Sequence, residues 1–146
     1  MQIQYHEKPE LKENLVEVFY NQYDAEIESL VTFLEKDKII IGMQEKQTCR
    51  IAVPEIYYLE IVDRRCFAYL HNEVYQLELN LKSFLDKWSG DGFVQIGKST
   101  IVNIRHVNRI APDLNMRLHL IMENEEKLVV NRSYKKLFMD CLKQAE

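Results

Sequence analysis

Arg64 and Arg65, Lys98 with Ser99, and Arg132 with Ser133, Lys135 and Lys136 form three short basic groups, each at an expected turn or helix start. Side chains in such places project into solvent and can touch a partner. Arginine and lysine on rigid loops reach guanine O6 and N7 in a major groove, and a helix N-terminus presents backbone N–H groups to a phosphate. The same residues also fit ordinary solvated loop charges, so residue type by itself leaves both readings open.

Other chemistry finds less support. His6, His71, His106 and His119 are scattered, and no HxxxH, HxE or CxxC spacing sets two ligands beside one metal. Gly90 and Gly92 follow a helical pattern instead of leading into one, and Gly97-Lys98-Ser99 lacks the upstream glycine and the downstream helix of a phosphate-binding loop. Cys66 follows two arginines that could lower its thiol pKa, but no histidine or acid partner is in view, so an enzyme built on this thiol is the weakest reading. His119 in an alternating strand reads as a surface or satisfied histidine. The expectation is a chain that is not an enzyme, with no cofactor, no metal site and no small-molecule substrate.

The elements that carry these residues are mostly strands. Residues 1–8 alternate apolar and polar as a half-buried strand does, Leu15 to Tyr20 read as a second strand rich in Val, Phe and Tyr, and Asp24 can cap a helix with Ile27, Leu30, Val31 and Leu34 on one stripe. Beyond Lys38, β-branched and aromatic runs at 39–43, 48–53, 56–62, 66–70 and 74–79 suggest an antiparallel meander. Its hairpin tips fall at Asp63-Arg64-Arg65 and His71-Asn72-Glu73. Asn80 caps a second helix, with Leu81, Phe84, Leu85 and Trp88 on one face, and Ser89-Gly90-Asp91-Gly92 stops it. Strands resume at 93–96, 100–104, 107–111, 118–122 and 128–130. A last helix opens with Ser133 as cap and carries Tyr134, Leu137, Phe138, Cys141 and Leu142.

Length and charge set the frame. At 146 residues the chain holds one main domain with a small appendage. The net charge of −4 is unevenly spread: residues 1–45 hold four Lys and ten acids, a net −6, whereas residues 46–146 hold fifteen Lys or Arg and thirteen acids, a net +2. The boundary is therefore expected near residue 45. No apolar run is long enough to span a bilayer, and Cys49, Cys66 and Cys141 are odd in number and widely spaced. Reduced thiols and a cytoplasmic location are expected.

The run Phe93-Val-Gln-Ile-Gly-Lys-Ser-Thr-Ile-Val-Asn103, then Ile104 and Ile110, then Asn131-Arg-Ser-Tyr-Lys-Lys136, resembles the LytTR-type DNA-binding domain of bacterial transcription regulators. The strand at 56–60 and the helix from Leu81 to Trp88 match in order and spacing, so the resemblance covers roughly residues 46–144. It implies a mainly β (α+β) fold, a LytTR-like antiparallel scaffold with short helices and no helix-turn-helix, whose loops enter successive major grooves. To this the chain adds a small N-terminal β-β-α segment. Carried across by position, the base-reading residues are Arg64 or Arg65, Lys98 and Arg132. Ser99, Ser133, Lys135 and Lys136 become phosphate neighbours, and Asn103 is structural, its amide closing a turn at a strand end. Many members have His at the position of Gly97, Arg at Gln95 and Ser at Asn131.

The resemblance further implies a form without the family's phosphate-accepting receiver domain, since residues 1–45 are too few to make one. The acidic N-terminal segment (1–45) is then the place for dimerisation or regulation, with 46–146 as the DNA-binding domain. The leading expectation is a dimeric transcriptional regulator bound to paired direct repeats in double-stranded DNA. The alternative is a protein-interaction module for a membrane or signalling partner on the same scaffold, and a membrane-protein regulator is also compatible with the first reading.

Overall fold

The computed structural model describes residues 1–35 and 37–144. The chain divides into two compact units, Met1–Glu35 and Lys36–Glu146. The strand at Ile39–Gln44 thus belongs to the second unit, although the charge shift lies a few residues later.

In the first unit the helix α1 (Ala25–Glu35) forms as its pattern predicts. Asp24 caps it, its Oδ1 accepting the Ile27 N–H at 3.0 Å. The two strands expected at 1–8 and 15–20 do not form. Alternation makes a segment suitable for a sheet, but a strand exists only when its N–H and C=O groups find a ladder partner. The side chains that would have pointed inward stand in solvent, Tyr5 and Phe19 both at 88% exposure. The N-terminal segment is therefore irregular chain followed by one helix, and the β-β-α expectation is corrected to that extent.

The second unit is antiparallel throughout. Its strands are β1 (Ile39–Gln44), β2 (Gln47–Ala52), β3 (Tyr58–Val62), β4 (Arg65–Tyr69), β5 (Val74–Leu77), β6 (Phe93–Gly97), β7 (Thr100–Asn103), β8 (Val107–Pro112), β9 (Leu118–Met122) and β10 (Lys127–Val130). Seven form one sheet in the order β2-β1-β5-β4-β3-β7-β6, and three form another in the order β10-β9-β8. The meander expectation holds for β3-β4-β5. β1 departs from it by pairing with β5 as well as β2.

Successive residues of a strand face opposite sides of the sheet, and here both sides are covered. Leu59, Ala68, Phe93 and Ile101 point to one side, where helix α2 (Leu81–Trp88) lays Leu81, Phe84 and Trp88 over them. Phe84 meets Phe93 edge to face at 4.8 Å between centroids. Burying one such ring contributes roughly 1.5–3 kcal/mol. Tyr58, Val94, Ile96 and Val102 point to the other side, against Leu118, Leu120 and Met122 of the small sheet and Phe138 of helix α3 (Lys135–Gln144). The large sheet is thus the middle layer.

Helix ends follow two different routes. Asn80 caps α2 as expected, its Oδ1 accepting the Ser83 N–H at 2.8 Å, and Gly92 closes the following turn at φ 92°. Ser133, however, does not cap the last helix. A 3-10 turn at Arg132–Tyr134 precedes α3, and the change from extended to helical backbone falls at Asn131, where the Tyr134 N–H bonds to the Asn131 carbonyl at 2.9 Å.

Candidate nucleic-acid interface

The β3–β4 hairpin turns on two residues, Asp63 and Arg64, with φ of 51° and 66°. Both angles are left-handed, the geometry that matches strand twist in a two-residue hairpin. The register is held below the tip by the Tyr58–Tyr69 pair, whose rings stack at 4.3 Å. Arg64 therefore occupies the turn, and Arg65 is the first residue of β4, opposite Val62. Both are exposed.

The second basic group sits beside this hairpin. β3 pairs with β7, and the Ile61 N–H donates to the Ser99 carbonyl at 2.8 Å, so the β6–β7 turn bearing Lys98 and Ser99 lies at the same end of the sheet as the β3–β4 tip. Gln95 braces that turn, its Nε2 donating to the Gly97 carbonyl at 2.8 Å, next to a bulge in the β6–β7 ladder.

The third group is tied to the second. At the end of β10 the Asn131 N–H donates to the Ile96 carbonyl at 2.9 Å, which brings Asn131, Arg132 and Ser133 against the end of β6. A surface cleft of about 440 Å³ results, lined by Gly97, Lys98, Ser99, Asn131, Ser133 and Tyr134. Of the residues predicted from sequence, Lys98, Ser99 and Ser133 thus share one cleft. Arg132 lies beside it in the chain, Lys135 and Lys136 form the first turn of α3, and Arg64 and Arg65 stand outside it on the neighbouring hairpin. Sequence reasoning treated Asn131 and Gln95 only as departures from the family. Their contacts with Ile96 and Gly97 link β10 to β6 and the turn to its own strand, and nothing in local spacing signals either.

Among the described residues none of Arg64, Arg65, Lys98, Arg132, Lys135 and Lys136 makes an ion pair. Other cations of the unit behave differently: Arg109 meets Glu125 at 3.2 Å and Arg117 meets Asp113 at 3.0 Å. Unpaired cations at one end of a rigid sheet can attract an anionic surface without first breaking internal bonds.

The remaining candidate groups resolve into structure. His119 Nε2 donates to the Asp113 carboxylate at 2.8 Å. Asp113 feels burial, which raises its pKa, but the hydrogen bonds from His119 and from the Arg117 and Asn115 N–H groups, with the Arg117 charge, outweigh it and hold the carboxyl well below its usual range. His71 meets the Tyr57 hydroxyl at 3.0 Å. His106 lies between Glu123 Oε1 at 2.6 Å and the Pro54 carbonyl at 2.7 Å. The Cys66 thiol points into the core under α2 while Arg65 faces the opposite side of the sheet, so the preceding arginines do not lower its pKa. Burial pushes its pKa up to about 11, away from reactivity. Among the described residues no cluster of His, Cys, Asp and Glu is arranged to hold a metal ion, and no helix is long and apolar enough to cross a membrane.

Residues 46–143 match the LytTr DNA-binding domain. The chain belongs to that family. Two relatives are the sensory transduction protein LytT of Enterococcus faecalis, 29% identical over 107 residues, and the sensory transduction protein LytR of Streptococcus mutans, 33% identical over 86 residues. The matches cover 73% and 59% of this chain but only 44% and 35% of those proteins, so it spans less than half their length. The LytTr DNA-binding domain of a Bacillus cereus response regulator superposes with a TM-score of 0.69 at 24% identity, over 73% of this chain and 97% of that one. The mainly β scaffold with short helices is therefore the LytTr fold, and the recognition drawn from the 93–103 and 131–136 motifs stands.

Proposed function

We propose that this LytTr chain is a cytoplasmic, sequence-specific transcriptional regulator that binds paired direct repeats in double-stranded DNA as a homodimer. The observation that carries the reading is the pair of backbone bonds, Ile61 to Ser99 and Asn131 to Ile96, that gather three basic loops at one end of the unit. Arg64 or Arg65, Lys98 and Arg132 read bases. Ser99, Ser133, Lys135 and Lys136 hold phosphates and fix the register of the protein on the duplex. Residues 1–45 serve dimerisation or regulation, for which the exposed Tyr5, Phe19 and Tyr20 offer apolar contact area. The relatives' name, sensory transduction protein, supports a role in signal response.

Those same exposed side chains in an acidic segment favour a second reading, a module that binds a membrane or signalling protein. The two are separated by selecting duplexes from a randomised pool with the full chain. A recurrent paired motif is expected, with binding that weakens steeply as salt rises. Lys98→Ala and Arg132→Ala should each lose about 1–3 kcal/mol of discrimination at one position. No enriched motif, or preference unchanged in both variants, overturns the assignment.

A further inference from the structure

Asn131 is held where a carboxamide can read what Lys98 and Arg132 cannot. Its backbone is pinned to Ile96, and its side chain lies over Gly97: a Cβ built on that glycine would sit 3.1 Å from Asn131 Nδ2 and 3.9 Å from its Cγ. Gly97 is buried, so the space above it belongs to the Asn131 amide and not to solvent. Any larger residue at 97 would push that amide aside. Among the described residues the amide itself makes no hydrogen bond, and it stands exposed in the cleft between the Lys98-Ser99 turn and the Arg132–Tyr134 turn.

Lysine and arginine only donate, and so favour the paired acceptors of guanine. A carboxamide donates and accepts along one edge, which matches adenine N7 and N6 in the major groove. We propose that Asn131 reads an adenine within the stretch of duplex contacted by Lys98 and Arg132, with Gly97 as the positioning residue for its amide. The inference rests on the DNA-reading function above and deepens it.

The test uses the full chain and a duplex that it selects from a randomised pool, with single adenines replaced by 7-deazaadenine, which lacks the N7 acceptor. At one adenine, the replacement and Asn131→Ala should each weaken binding roughly 5- to 150-fold, with little further loss when combined. Gly97→Ala should erode discrimination at that same position, with the preference at other positions kept and the thermal melting of the free protein little changed. A purely structural role for Asn131 would instead weaken all duplexes alike and leave the deaza effect intact. Preference at every adenine retained by Asn131→Ala, or additive losses, overturns the proposal while the regulator reading stands. Failure of the unaltered chain to enrich any sequence removes both.

Discussion

The Asn103 amide donates to the Ile56 carbonyl at 2.9 Å, joining the end of β7 to the chain that enters β3. Its Oδ1 accepts the Arg105 N–H at 3.1 Å, and the residue is fully buried, the one buried polar side chain among the described residues. Here a family-motif asparagine is a structural clasp: it fixes where β7 ends, and β7 in turn carries the Lys98-Ser99 turn at its other end. Asn103→Ala leaves a buried carbonyl and an N–H without partners, which should cost about 2–4 kcal/mol. Urea denaturation with an unchanged slope checks this, and a loss under about 1 kcal/mol would mean that water replaces the amide.

Arg64 is held at φ 66°, a conformation that costs an ordinary residue roughly 1–2 kcal/mol. Glycine relieves the strain but gains freedom in the unfolded chain, so Arg64→Gly should raise stability by about 0.5–1 kcal/mol. The same change removes a guanidinium from the tip and should weaken DNA binding. Arg65→Gly, in β4, should lower stability instead. Thermal melts and binding curves on the two variants decide which arginine matters. Equal effects on binding would leave no reason to prefer the tip, and a less stable Arg64→Gly would refute the strain.

These two residues show what the sequence carried and what it did not. Asn80, Leu81 and Trp88 bounded α2 because cap, stripe and stop are all local. The hairpin at Asp63-Arg64 was visible, but its two-residue length was not, since Arg64 stands where such a turn usually has glycine after Asp. Strand alternation at residues 1–8 overstated the sheet, because period two says that a segment can pair and not that a partner exists. The place of β1 beside β5 depends on Gly42, where a Cβ would lie 2.4 Å from Ile51 Cδ1 and 3.0 Å from Tyr75 Cβ. Close approach between distant segments leaves no mark in spacing. The basic loops of the candidate site were found by type and position, whereas the Asn131 and Gly97 contact joins the residue after β10 to the end of β6 and is visible only in three dimensions.

Lys135 and Lys136 begin α3 next to the Arg132–Tyr134 turn and carry no internal partner among the described residues. Phosphate contacts release counterions and contribute to every duplex alike. Lys136→Ala should therefore reduce the slope of log affinity against log salt by about 0.9 while leaving the preferred sequence unchanged. Lys98→Ala should alter the preference as well. Binding measured across a salt series on selected and scrambled duplexes separates the two roles, and a changed motif with Lys136→Ala would contradict the division between positioning and reading.

Alkali should unfold the second unit early. Burial raises the Cys66 thiol from 9.0 to about 11, and burial together with the Glu126 carboxylate raises the Tyr58 hydroxyl far above its ordinary value. Tyr57 and Tyr69 move the same way, first through burial and then through nearby carboxylates. Each group is neutral in the folded protein and ionises more readily once unfolded. Their contribution is complete below pH of about 9, the unfolded thiol value, and is lost as pH climbs through the folded values. For Cys66 the gap corresponds to roughly 2–3 kcal/mol between about pH 9 and about pH 11. Denaturation midpoints should be flat from about pH 7 to about pH 8.5 and then fall. Cys66→Ala should start less stable from its cavity but decline less steeply, because one ionisation is gone. Parallel declines in the two proteins would show that the thiol is not the group being titrated, and rapid alkylation of Cys66 in the folded chain at pH of about 8 would contradict its burial.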